Sequence, residues 1–183
     1  MRLTRRALLA GIGGVPLGRA AAQANRRRPN VIFILTDDHG AWAMGPWGCG
    51  DMQTPHLARL GGEGARFSEA FASTPVCSPS RMTYMTGKLP SAHGVQDFLL
   101  SKDGAGGTRF LDGQLTIAEV LVSNGYATGV CGKWHMGDDG QPHAGFAHWR
   151  TTAGGGGPYR NPEFFEGNRK VKRSGFKTDI TTD

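Results

Sequence analysis

Three small groups of residues in this sequence have types and spacings that could do chemistry. The first is Cys77-Ser78-Pro79-Ser80-Arg81. Pro79 has φ already near the helical value and no N–H to leave unsatisfied, so it suits a first helical turn. Ser78 in front of it is a suitable N-cap. That puts Cys77 just outside a helix N-terminus, where free N–H groups and the helix dipole favour negative charge. Arg81, four residues on, can reach back over the same end. A nucleophile and an anion would both be stabilised there, although an isolated Cys-x-Pro is more often a buried structural cysteine.

The second group is Asp37-Asp38, which follows the apolar, β-branched run Val31-Ile32-Phe33-Ile34-Leu35. Such a run predicts a strand buried on both faces of a parallel sheet, and the C-terminal ends of such strands are where open α/β sheets bind ligands. Two adjacent carboxylates repel unless a cation lies between them, and hard oxygen donors suit calcium or magnesium. The third group is Lys133 and His135, at the end of a β-rich segment over 126–131. In an extended chain residues i and i+2 project the same way, so both would face one pocket. A cation beside a proton-transfer group suits an anionic ester.

The elements between these groups read as alternating helices and strands. Thr54-Pro55 starts a helix with Leu57 and Leu60 on one face, which Gly61-Gly62 weakens at its end. Residues 65–71 alternate as a short strand. The helix begun at Pro79 runs through 82–86 and stops at Gly87. His93-Gly94 reads as a turn with a structural histidine. Thr116 and Glu119 form a capping box, and Gly125 is a fitting residue just past that helix. A helix followed by a strand is the unit that builds parallel sheets. After Gly137 the chain loses core material: residues 154–157 are four glycines, a flexible loop, and Phe164-Phe165 is the one strong apolar pair. Residues 178–183 look like the capping lead-in to a helix that does not follow.

Composition narrows the function classes. The 183 residues have a formal charge of +6, room for one ordinary domain. Arg2, Arg5, Arg6 and Arg19 stand in residues 1–24 with no acid, which leaves the rest nearly balanced at +2. The clusters Arg26-Arg27-Arg28 and Arg169 to Arg173 lack interleaved aromatics, so nucleic acid is excluded as the expected partner. Arg5-Arg6, a mild apolar run to Leu17 and Ala22-Gln23-Ala24 predict a twin-arginine export signal over 1–24. The mature domain is then 25–183, placed in the periplasm or outside the cell after passage through the twin-arginine export machinery. The apolar run is too short to span a bilayer. Three cysteines cannot all pair within one chain. Cys49 and Cys131 could pair if Cys77 is modified, but are expected as two small buried hydrophobes. There are 29 glycines, about 16% against a usual ~7%.

Cys77-Ser78-Pro79-Ser80-Arg81, continued by Thr86-Gly87-Lys88-Leu89-Pro90, resembles the sulfatase signature. Residues 28–38, Arg-Pro-Asn-Val-Ile-Phe-Ile-Leu-Thr-Asp-Asp, are similar to that family's first strand. Gly132-Lys133-Trp134-His135-Met136-Gly137 is similar to its third motif, and the three occur in the family's order. The resemblance implies an α/β, alkaline-phosphatase-like fold with a mostly parallel central sheet flanked by helices. It implies that Cys77 is oxidised to formylglycine by a formylglycine-generating enzyme, and that Asp37, Asp38 and residue 77 hold a divalent cation, most often calcium. Arg81 would stabilise the formylglycine hydrate that attacks sulfur; Lys133 and His135 would grip sulfate oxygens or serve the hydrate in turnover. The substrate would be a small-molecule or saccharide sulfate ester. The family's second pair of metal ligands and a further His and Lys have no counterpart here, and Asp138-Asp139 and Asp183 are not convincing substitutes. The expectation is therefore a sulfate-ester hydrolase with an incomplete, C-terminally truncated catalytic domain. A phosphonate or phosphate monoester hydrolase of the same superfamily and a non-catalytic remnant are the alternatives.

Overall fold

The structure, a computed structural model, describes residues 28–100 and 107–183, so the export segment over 1–24 lies outside the described residues. The chain divides into two units between His39 and Gly40.

In the first unit, residues 28–36 form no strand, and Ile32 is 84% exposed. This corrects the expectation of a strand buried on both faces. The apolar pattern states what a strand would bury, but a strand also needs a ladder of hydrogen bonds to neighbouring strands, and the sheet of the described residues does not include this run. Residues 65–71 fail as a strand for the same reason, with Phe67 and Phe71 exposed.

The second unit begins with two short 3-10 turns, Ala41–Ala43 and Gly45–Trp47. Helix α1, Pro55–Glu63, has Pro in its first turn as expected. Thr54 does not cap it; its Oγ1 accepts instead from the Gly45 N–H at 3.1 Å. Gly61 and Gly62 lie in the last turn of α1. The Trp47 ring packs where a side chain on Gly61 would stand, with an ideal Cβ only 2.2 Å from it.

Helix α2, Cys77–Thr86, starts earlier than the proline suggests: Val76 is the N-cap, so Cys77 is the first helical residue, not one outside it. Pro79 falls third, where its missing N–H still costs no intrahelical bond. Ser78 is freed from capping; it is buried and its Oγ accepts from the Leu99 N–H at 3.2 Å. Gly87, left-handed at φ 68°, ends α2 as expected. Helix α3, Pro90–His93, turns at Gly94. His93 is buried and structural, its Nδ1 accepting from the Val95 N–H at 3.2 Å. Helix α4, Ile117–Ser123, has the complete capping box. Glu119 N–H donates to Thr116 Oγ1 at 3.2 Å and Thr116 N–H to Glu119 Oε2 at 2.9 Å.

Strands β1 (Gly129–Gly132), β2 (His148–Thr152), β3 (Glu163–Glu166) and β4 (Arg169–Lys172) form one sheet in that order. β1 and β2 are parallel, and the other two pairings are antiparallel, so the sheet of this α/β fold is mixed. The parallel pair requires a crossover, and residues 133–147 supply it. Trp134 and Met136 in that crossover pack with Met82, Val95, Leu111, Trp149 and Phe165 to form the core. Three of the four strands therefore lie after Gly137, which corrects the expectation that this region lacks core material. Helix α5, Lys177–Thr182, forms where only its lead-in was expected. Cys49 and Cys131 are free and exposed, not buried. Cys131 lies on β1, an edge strand.

Candidate active site

The first turn of α2 presents Cys77 half-buried beside a lysine that is distant in sequence. Lys133 Nζ donates to Cys77 Sγ at 3.4 Å. Arg81, one turn along α2 and buried, donates from Nη1 to the Lys133 carbonyl at 2.7 Å. The arginine bonds the backbone of the residue whose ammonium meets the cysteine, so a cation and a helix N-terminus meet at one side chain. Such a place favours an anion or an anionic transition state.

His135 is placed by different means. β1 ends at Gly132, φ 101°, and His135 itself is left-handed at φ 58°, so the i, i+2 rule of an extended chain does not carry over to Lys133 and His135. The imidazole is buried, with Nε2 2.9 Å from the Leu99 carbonyl and its ring edge-on to Phe98 at 4.5 Å between centroids. A carbonyl only accepts, so in the neutral ring Nε2 bears the hydrogen.

Asp37 and Asp38 belong to the first unit. Both are exposed, and their carboxylate oxygens approach within 4.8 Å. Asp38 is left-handed at φ 53°, which breaks the alternation that would send successive side chains to opposite sides. Two hard anionic donors this close fit a divalent cation.

Two acids set aside at the sequence level prove to be buried structural groups. Asp138 Oδ1 accepts from the Gly140 N–H at 3.1 Å, and Arg109 Nη1 lies 3.5 Å from Oδ2. Asp139 Oδ2 accepts from the Gly154 and Gly155 N–H groups at 2.7 and 3.3 Å. Burial pushes the Asp139 carboxyl up from the ordinary value, against those backbone hydrogen bonds. The same burial pushes His143 down. The sequence signal for Asp139 was an acid ahead of a glycine run, too common a pattern to single it out.

The family model described as Sulfatase matches residues 29–183. This chain belongs to the sulfatase family. It is 36% identical over 159 residues to an N-acetylglucosamine-6-O-sulfatase of Bacteroides thetaiotaomicron, covering 86% of this chain and 26% of that protein. It is 37% identical over 135 residues to human arylsulfatase A, covering 71% and 26%. Among solved structures, BT4656 in complex with its substrate D-glucosamine-2-N,6-O-disulfate superposes with a TM-score of 0.72 at 33% identity, over 84% of this chain and 29% of that one. Ps i-CgsB superposes with a TM-score of 0.75 at 30% identity, over 84% and 39%. This sulfatase chain spans about a quarter of the length of the curated relatives named here. Among its described residues no helix is long and apolar enough to cross a membrane.

Proposed function

We propose that this sulfatase-family chain supplies the nucleophile and the first cation ligands of a saccharide sulfate-ester hydrolase. The observation that carries the proposal is the Lys133–Cys77 contact at the start of α2, with Arg81 fixing the Lys133 backbone. In this reading formylglycine derived from Cys77 would supply a hydrate, one hydroxyl of which would displace the alcohol from sulfur while the second would let the hydrate collapse to the aldehyde and release sulfate. Asp37, Asp38 and residue 77 would hold a divalent cation, which neutralises charge on the ester and favours an ionised hydroxyl. Lys133 and Arg81 bring positive charge to residue 77, where sulfate oxygens gain negative charge. His135 keeps its proton at Nε2 and serves proton transfer at the same centre. Similarity to an N-acetylglucosamine-6-O-sulfatase, and to the structure of BT4656 with its glucosamine disulfate substrate, favours an amino-sugar sulfate as substrate. The domain over 25–183 would reach the periplasm through the twin-arginine route.

Asp37, Asp38 and residue 77 supply only part of the six to eight oxygen ligands calcium prefers. A calcium ion held by these three residues alone is therefore expected to bind more weakly than micromolar. Coexpression with a formylglycine-generating enzyme followed by peptide mass spectrometry tests the nucleophile. The expected peptide is about 18 Da lighter than the thiol form, whereas the sulfur-oxidation ladder adds mass. Cys77 recovered only as thiol after such coexpression overturns the proposal.

A further inference from the structure

Asp139 is 1% exposed and belongs to none of the three motifs. Its carbonyl accepts from Trp149 Nε1 at 3.2 Å and from Thr151 Oγ1 at 3.0 Å, which fixes its backbone on β2. Its carboxylate Oδ2 accepts from the N–H groups of Gly154 and Gly155. Those two glycines are left-handed in succession, at φ 69° and 71°. Consecutive N–H groups turned inward in this way make a small anion-binding concavity, here filled by a carboxylate of the same chain. Gly155 in turn lies against the His135 ring. A Cβ built on it would stand 2.5 Å from Cδ2 and 2.8 Å from Cγ, so only glycine lets this backbone approach. The four-glycine stretch expected to be a flexible loop is thus tied down at its first two residues.

We propose that Asp139 is a positioning residue for His135, acting through the Gly154–Gly155 backbone. Resting on the reading of His135 as a site residue, the inference gives its imidazole three fixed neighbours. Leu99 accepts from Nε2, Phe98 meets the ring edge-on, and Gly155 lies against Cδ2 and Cγ. Burial of a carboxylate whose other oxygen, Oδ1, has no hydrogen-bond partner is costly for folding. A cost of this kind is tolerated where it orients another group.

The test is the tautomer and exchange behaviour of the His135 ring nitrogens, read from long-range 1H–15N spectra of the intact 183-residue chain. Wild type should show one Nε2–H species. Asp139→Ala should release the two glycines and cut the Nε2–H share about twofold, since the tautomer follows the hydrogen bonds the ring can keep. Asp139→Asn, which retains an acceptor oxygen, should restore it. Thr151→Val removes a bond to the Asp139 carbonyl but leaves the carboxylate; it should lower the melting temperature without changing the ring. Should Asp139→Ala not fold, Asp139→Ser carries the test, because its shorter side chain withdraws the acceptor from the Gly154 and Gly155 N–H groups. A wild-type ring signature in the folded variant overturns the proposal. These spectra need no turnover. A chain that fails to form formylglycine but shows the Asp139 effect removes the catalytic reading and keeps the positioning one.

Discussion

Replacing Arg81 with methionine probes the link between α2 and the Lys133 backbone. Methionine keeps most of the apolar stem and removes the guanidinium, so the Lys133 carbonyl loses its donor at 2.7 Å. A hydrogen bond from a charged donor contributes roughly 1.5–3 kcal/mol. Against this, removing a buried charge recovers part of its desolvation cost, which favours the low end, about 1.5 kcal/mol. A chain of this size melts about 2–4 °C lower per kcal/mol, so the expected drop is about 3–6 °C by calorimetry. Arg81→Lys should recover less than half of it, because an ammonium lacks the planar fork and the reach. With the Lys133 backbone loosened, its ammonium no longer meets Cys77 Sγ, and alkylation of Cys77 by iodoacetamide should slow in the same variants, because the thiolate is the reacting form and loses its neighbouring cation. Melting within about 1 °C of wild type together with an unchanged alkylation rate would refute the claim that Arg81 acts through the Lys133 carbonyl.

Thr116→Ala removes one half of the capping box at α4. It should cost about 1 kcal/mol, seen as a melting temperature about 2–4 °C lower. His143 is pushed below its ordinary value of 6.5 by burial, with the Asp138 backbone bond opposing. The unfolded chain then binds more protons between the lowered value and 6.5, so stability rises with pH across that window and is lost as pH falls through it. Chemical denaturation across the window should show a shallower slope for His143→Asn. Asp139, pushed up by burial, gives the opposite sign above its ordinary 3.8, and that part should remain in the variant. Changing Arg5 and Arg6 together to lysine should leave the precursor in the cytoplasm by cell fractionation; unaltered export would count against the twin-arginine route.

What was legible in the sequence is what neighbouring residues settle among themselves. Thr116 and Glu119 satisfy each other's backbone within one turn. Gly87 and Gly125 take the left-handed conformations that helix ends require. Ser78 and Pro79 fix a helix start to within two residues, and that shift alone moved Cys77 inside α2. The 31–35 run failed as a strand because its partners cannot be read from its own pattern. The region after Gly137 failed because Trp149 and Phe165 are buried by residues far from them in sequence, Met82 and Trp134 among them.

The candidate site divides along the same line. Lys133 and Cys77 are 56 positions apart, and no local rule joins them. Only the order of the motifs set the two side by side as candidates, and the extended-chain rule misjudged how His135 is held. Asp139 escaped because composition treats glycines as chain freedom. Fifteen residues downstream of that carboxylate, two of them become fixed donors once it is buried beneath them. A glycine run is flexible only if nothing accepts from its N–H groups. In this chain a buried acid accepts from two, and the constraint passes to the imidazole ring above. The residues that hold a site in place are therefore found where a costly burial and a permissive backbone meet, a pairing that sequence patterns do not record.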